Sequence, residues 1–333
     1  MVEPVLGILG DVWKRRVLIL GGGIAFAGAL LVFALTHSFA LLLLASCLLY
    51  PASGAFVTLS QATLMDLDPA RHEQNMTRWT FSGSIGAVSG PLLLGGLIAL
   101  GVGWRGTFTA LALLAVAIVL GSWRLPLDAH RTIEPGTSFR AGLAAAKQAV
   151  QRREVIRWVV LLQSSDLMLD VLLGFLALYF VDVVHTAPAD AGLAVAVWTA
   201  SDLVGGLCMI PLLARVPGLE YVRGSVLVEL ALFPAFLLVD DFVLKLVLLG
   251  LVGFVNAGWY SVLQGRLYSS MQGLSGTVMA VDNVFGLAGS FVPLVLGLSA
   301  QHLGLRNTMW IILLAPVALL IGLPRDRKNA GGA

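Results

Sequence analysis

The sequence predicts an all-α polytopic membrane protein built from two parallel-repeat helix bundles, and three observations predict it. Ten apolar stretches are each long enough to cross a hydrocarbon core that is roughly 30 Å thick and needs about 20 helical residues. The connecting loops alternate in charge, so that 18 of the 21 Lys and Arg fall on one side. The segment Pro91-Leu-Leu-Leu-Gly95 recurs as Pro293-Leu-Val-Leu-Gly297, at a spacing of 202.

In chain order the spans lie near 17–36, 39–65, 79–102, 106–122, 156–184, 188–213, 222–239, 243–267, 275–300 and 307–323. Lys14, Arg15 and Arg16 precede the first; Arg71 and Arg78, the group from Arg124 to Arg157, Arg215 and Arg223, and Arg266 occupy alternate loops; Arg325, Arg327 and Lys328 follow the last. Only Arg105, Lys245 and Arg306 lie opposite. By the positive-inside rule the basic loops and the C-terminus are cytoplasmic, in a plasma or inner membrane. The stretch from Met1 to Gly10 lacks a basic start and is too short for a signal peptide, so the first complete span serves as the membrane signal. A chain with 58% hydrophobic and 12% charged residues is no soluble domain, and a net charge of +2 reads as topology, not as a nucleic-acid footprint. Cys47 and Cys208 fall inside spans, where small buried hydrophobes are expected and a disulfide is not.

The repeat extends to the next loop, where Gly103-Trp-Arg105-Gly-Thr107 matches Gly304-Leu-Arg306-Asn-Thr308 at a spacing of 201, and weakly to Pro4-x-Leu6 and Pro211-x-Leu213 at 207. Parallel copies of this kind build transporter halves. Residues 155–324 hold six spans, whereas 1–123 hold four. On this alignment Met1 corresponds to a position near Cys208, and about 45 to 50 residues, the first span and most of the second, are absent. The expectation is a misassigned start or a truncated gene, with about ten complete helices out of twelve. Between the bundles, residues 124–154 form a linker. Its Pro126, Asp128, His130, Glu134, Pro135 and Gly136 break the pattern before Phe139, Leu143, Ala146 and Val150 resume on one helical face behind a Ser138 N-cap. An interfacial amphipathic helix and a solvated linker helix are equally compatible with that pattern. Residues 325–333 form a cytoplasmic tail.

The repeated six-helix plan, the long middle loop and the stretch Gly7-Ile-Leu-Gly-Asp11-Val-Trp-Lys14-Arg15-Arg16 together resemble the major facilitator superfamily. That stretch is similar to the family's loop between spans two and three. The resemblance implies that Asp11, Lys14, Arg15 and Arg16 latch neighbouring helices during alternating access, and charge at helix ends gives the same roles a physical basis. Plain topology explains the three cations but not Asp11. Gly86-Ala-Val-Ser-Gly90-Pro91-Leu-Leu-Leu-Gly95-Gly96 is similar to the family's antiporter signature, with one extra residue between the proline and the glycine pair. Read physically, Gly86, Gly90, Gly95 and Gly96 allow close helix packing and Pro91 allows a bend.

Carboxylates within a bilayer are costly and mark ion, proton or substrate paths. Gln163, Asp166 and Asp170 follow i, i+3, i+7 and share a helical face, which makes them candidates for proton coupling together with Asp202. Spans 17–36, 106–122 and 307–323 carry no charge, and the resemblance places them, as the third, sixth and twelfth of the family, on the lipid side; Glu229 in span 222–239, the ninth, breaks the rule. Asp282 and Arg266 are expected to form a gating or structural salt bridge. Asn256, Tyr260 and Gln264 recur at i+4 beside Trp259, and with Trp198 they are candidates for a substrate cavity suited to a cationic or amphiphilic small molecule.

These features predict a secondary active transporter of a small solute working by alternating access, with proton-coupled efflux leading. Proton-driven uptake of a nutrient is the nearest alternative, and a non-transporting sensor or decayed transporter comes from another class. No phosphate-binding loop, catalytic constellation, metal-ligand spacing or cofactor motif is present. The expected partners are the solute, protons and the lipid bilayer.

Overall fold

The computed structural model describes residues 2–125, 127 and 138–324. The expectations placed on Pro126, Asp128, His130, Glu134, Pro135, Gly136, Arg325, Arg327 and Lys328 lie outside them. The described residues are helical, without a strand among them. They form α1 (Val2–Val12), α2 (Arg15–Leu35), α3 (Phe39–Leu67), α4 (Pro69–Ala99), α5 (Gly103–Ser122), α6 (Phe139–Val150), α7 (Arg153–Asp182), α8 (Pro188–Leu212), α9 (Gly218–Leu238), α10 (Phe242–Ser270), α11 (Ser275–Leu303) and α12 (Leu305–Gly322). All of them except α1 and α6 are long and apolar enough to cross a membrane, which gives the ten spans the sequence predicts. Regular α-geometry is interrupted by π turns at Gly54–Thr58 in α3 and Leu167–Val171 in α7, and by a turn at Ala257 and Gly258 in α10.

The chain divides into two compact units, Met1–Ile156 with Gly265–Leu287, and Arg157–Gln264 with Ala288–Ala333. The division follows the sequence halves except that Gly265–Leu287 belongs with the first unit.

In the first unit α2 packs on α3 and α5. Its apolar run carries glycines where a neighbour comes closest: a Cβ on Gly22 would lie 2.6 Å from that of Ala55, and one on Gly23 2.5 Å from Val119. Ala27, Leu30, Ala112 and Ala115 continue this small-residue seam, which Phe33 and Phe108 close with stacked rings 5.2 Å apart. Tight van der Waals fit, not solvent exclusion, holds helices together in lipid. The middle-loop helix α6 starts at the expected cap, with Ser138 accepting from the Ala141 amide, but its buried face is Gly142, Ala146 and Ala149. That face lies on Ile8 and Val12 of α1, and Phe139 and Leu143 point outward. α6 is therefore docked on protein along its small residues, because a glycine–alanine strip fits a neighbouring helix more closely than the bulky apolar strip does.

In the second unit α8 packs on α10 and α7, and α9 on α10 and α12. Tyr179, Phe180, Phe233 and Phe236 form its aromatic core. Lys245, one of the three cations on the charge-poor side, is buried there: its ammonium donates to the Phe236 carbonyl at 2.7 Å and the Tyr179 hydroxyl at 3.2 Å, and lies 5.0 Å from the Phe236 ring centroid. It satisfies a C-terminal carbonyl of α9 while the rings replace part of its hydration.

Two packing expectations are corrected. Cys47 and Cys208 are exposed free thiols, pointing away from the helix contacts. A Cβ on Gly86, Gly90, Gly95 or Gly96 would meet nothing within 4 Å, and Pro91 is exposed. Among the described residues no neighbour comes close to these glycines, and their small side leaves an open surface.

Candidate functional site

The densest polar constellation lies where α1, α2, α3 and α11 meet in the first unit. α1 ends at Val12, Lys14 is extended, and α2 starts at Arg15, so Asp11 and Arg15 face each other across the break at 2.9 Å. Asp11 then reaches the start of α11: Oδ1 accepts from the Gly276 amide at 2.9 Å, and Oδ2 from the Thr277 amide at 2.6 Å and the Thr277 hydroxyl at 2.7 Å. The first amides of a helix have no partner within it, and the dipole there favours an anion, so Asp11 caps α11 from 265 residues away.

Arg15 is fully buried and its guanidinium is engaged on every side. Nε donates to the Gly10 carbonyl at 3.2 Å, Nη1 to Asp66 Oδ2 at 2.7 Å, and Nη2 to Asp11 and to Ser275 Oγ, each at 2.9 Å. Ser275 in turn donates to Asp66 at 2.7 Å. The helices touch beside this cluster, since a Cβ on Gly7 or on Gly276 would collide with the other's carbonyl oxygen. Of the four sequence-predicted gating residues at this loop, Asp11 and Arg15 form the cluster. Lys14 is exposed, and Arg16 donates instead to the Trp123 carbonyl at the end of α5. Asp66, Ser275 and Thr277 were not anticipated. The available signal was a carboxylate in the last turn of an apolar span, on the cationic side.

A second tie in the same unit joins α4 to the end of α10. Arg266 Nε lies 2.6 Å from Glu73 Oε1, and His72 Nδ1 lies 2.9 Å from Ser269 Oγ. Gly265 permits the approach, for a Cβ there would fall 2.8 Å from the Glu73 backbone. Arg266 was expected to meet Asp282; the structure gives it to Glu73, and Asp282 is half-buried further along α11.

In the second unit the face predicted from Gln163, Asp166 and Asp170 is interrupted by the π turn, which inserts a residue between Asp166 and the following α-turns. Gln163 and Asp166 are half-buried, Asp170 is exposed, and Gln163 Oε1 abuts the backbone of Gly289. Asp202 is half-buried. The aromatic cavity is corrected: Trp198 is buried against Gly253, and Trp259 is buried with Nε1 donating to Ser225 Oγ at 2.7 Å. Both indoles pack within their own bundle, because a glycine surface and a hydroxyl lie within reach. The turn at Ala257 and Gly258 breaks the i+4 stripe, so that Asn256 and Gln264 are buried and Tyr260 is half-buried.

Glu229, which sequence reasoning set aside, is fully buried, and neither carboxyl oxygen has a hydrogen-bond partner among the described residues. The antiparallel register of α9 and α10, fixed by Ser225 to Trp259 and by Phe236 to Lys245, brings it to the level of Val252 and Asn256. The Asn256 amide is buried and equally unpartnered. The chargeless-face rule fails at α9 because its acid turns inward.

Ten spans and a cross-chain helix cap with a buried arginine at its centre are the architecture of a polytopic helical transporter. The family description Major Facilitator Superfamily matches residues 1–293, and the chain belongs to that family. It is similar to a chloramphenicol resistance protein of Pseudomonas aeruginosa, 32% identical over 37% of this chain and 29% of that protein, and to one of Streptomyces lividans, 30% identical over 43% and 37%. The matched stretch thus spans about a third of these relatives' length. Among solved structures it is similar to FucP, the fucose:proton symporter of E. coli, in its outward conformation, with a TM-score of 0.75 at 16% identity over 97% of this chain and 86% of that one.

Proposed function

We propose that this protein exports a small amphiphilic solute in exchange for protons by alternating access, from an inner membrane with its C-terminus in the cytoplasm. The observation that carries the reading is the capped junction of Asp11, Arg15 and Asp66 with the start of α11, which joins helices of both sequence repeats on the cation-rich side. A tie of that kind at one end of a transporter is a gate: intact it closes that end, and broken it frees α11 to move. The names of the chloramphenicol resistance relatives favour outward movement of an amphiphile. Asp166, Asp170 and Asp202 supply carboxyls for proton transfer, and exposed Asp170 on the π-turned segment of α7 is the first choice.

The test uses inside-out vesicles with an acidified lumen and labelled chloramphenicol as probe. The solute should accumulate as protons leave the lumen, and Asp170→Asn should abolish the gradient-driven part while leaving expression intact. Accumulation only when solute and protons move together would convert the assignment to uptake, and solute flux indifferent to the gradient would remove proton coupling. Unaltered coupling in Asp170→Asn would acquit that residue.

A further inference from the structure

We infer that the second unit carries a binding site for one anionic phospholipid on its cation-rich end. A cleft of about 1110 Å³ opens between the start of α7, α9 and the end of α12, lined by Arg157 and Arg223 together with Leu227, Leu320 and Ile321. Among the described residues no carboxylate lines it. Arg223 is half-buried and held in place by donating to the Pro324 carbonyl. Arg157 is exposed and makes no ion pair or hydrogen bond among the described residues. The three apolar side chains are open to the surroundings, Ile321 to 79%.

Two guanidinium groups beside exposed aliphatic side chains, near the ends of three spans, fit a molecule with a phosphate at one end and hydrocarbon at the other. Guanidinium binds phosphate oxygens through paired N–H donors, which a zwitterionic headgroup with its own ammonium satisfies less well. Basic pockets between spans on the cytoplasmic side bind anionic headgroups in this manner. A free phosphate could use the arginines but would leave Leu227, Leu320 and Ile321 unused, so the lipid is the occupant that accounts for the whole lining.

The full chain is reconstituted in phosphatidylcholine nanodiscs containing graded phosphatidylglycerol, released, and weighed intact by native mass spectrometry to count retained lipid. The wild type should keep one phosphatidylglycerol in preference to phosphatidylcholine. Arg157→Gln with Arg223→Gln should lose about 30-fold of that preference, the equivalent of two charges at about 1 kcal/mol each. Arg140→Gln with Lys147→Gln, basic positions of α6 outside the cleft, should leave the preference intact, and Arg157→Lys with Arg223→Lys, which keeps the charge but loses the paired donors, should retain an intermediate preference while reporting on folding. Equal retention by wild type and the double glutamine variant overturns the site, as does an equal loss in the α6 variant, which would reduce it to general surface charge. Inorganic phosphate displacing the lipid at matched concentration would make it an anion site without lipid specificity and overturn the inference.

Discussion

Among single residues, Arg15 and Glu229 represent two solutions to burying charge in a membrane protein. Arg15 is surrounded: two carboxylates, a hydroxyl and a carbonyl take up its donors. Its neighbours are organised by it, and truncating one partner of such a cluster leaves the others charged and desolvated. Glu229 is left alone, with no cation against it among the described residues. A solitary carboxyl of this kind is tolerated far better as a neutral group of the same shape than with a new charge. Glu229→Gln is therefore expected to change thermal stability by less than about 1 kcal/mol, whereas Glu229→Lys should cost upwards of about 3 kcal/mol. Melting of the detergent-solubilised protein checks both, and a glutamine variant as unstable as the lysine one would mean that the carboxylate has an ionic partner.

At the scale of elements, glycines separate packed from unpacked faces. The Gly7 and Gly276 backbones are in direct contact, so a single methyl at either position must push α1 from α11. The glycines of α4 have room. Gly276→Ala should destabilise by about 1–3 kcal/mol through overpacking. Gly86→Ala and Gly90→Ala should be neutral, or stabilise by about 0.5–1 kcal/mol each through helix propensity. Melting of the three variants decides, and a harmful Gly86→Ala would show that another surface covers α4. All ten spans were legible in the sequence because about 20 apolar residues between basic loops leave few alternatives. The two π turns and the turn in α10 were not, because hydropathy carries no signal for a change of helical register. That is why Asp170 and Tyr260 are not where a straight helix would put them. Two members of the polar junction, Asp11 and Arg15, were legible through the family resemblance of their loop; Asp66 and Ser275 join it only through contacts distant in sequence.

Over the whole molecule, the boundary between the compact units does not coincide with the boundary between the sequence repeats. Gly265–Leu287 belongs by sequence to the second repeat, yet clusters with the first unit, to which two ties hold it: Asp11 and Arg15 with Ser275, Gly276 and Thr277, and Glu73 with Arg266. If this segment leaves as one piece, the ties share one event. Arg15→Gln should cost about 3–5 kcal/mol, and adding Glu73→Gln should then cost markedly less than it does in the wild type. A double-mutant cycle on thermal stability tests the idea; strict additivity would show that the ties open independently.

The cap on α11 has a mechanical consequence. An ordinary N-cap belongs to its own helix and travels with it, whereas Asp11 belongs to α1 and stays behind. Parting the two helices bares the Gly276 and Thr277 amides in one displacement, while Asp11 keeps its pair with Arg15, which stays with Asp66 on the same side. Both amides lose their acceptor together, because one carboxylate holds them both. If the junction gates as proposed, it works as a detent, resisting up to a threshold and then releasing.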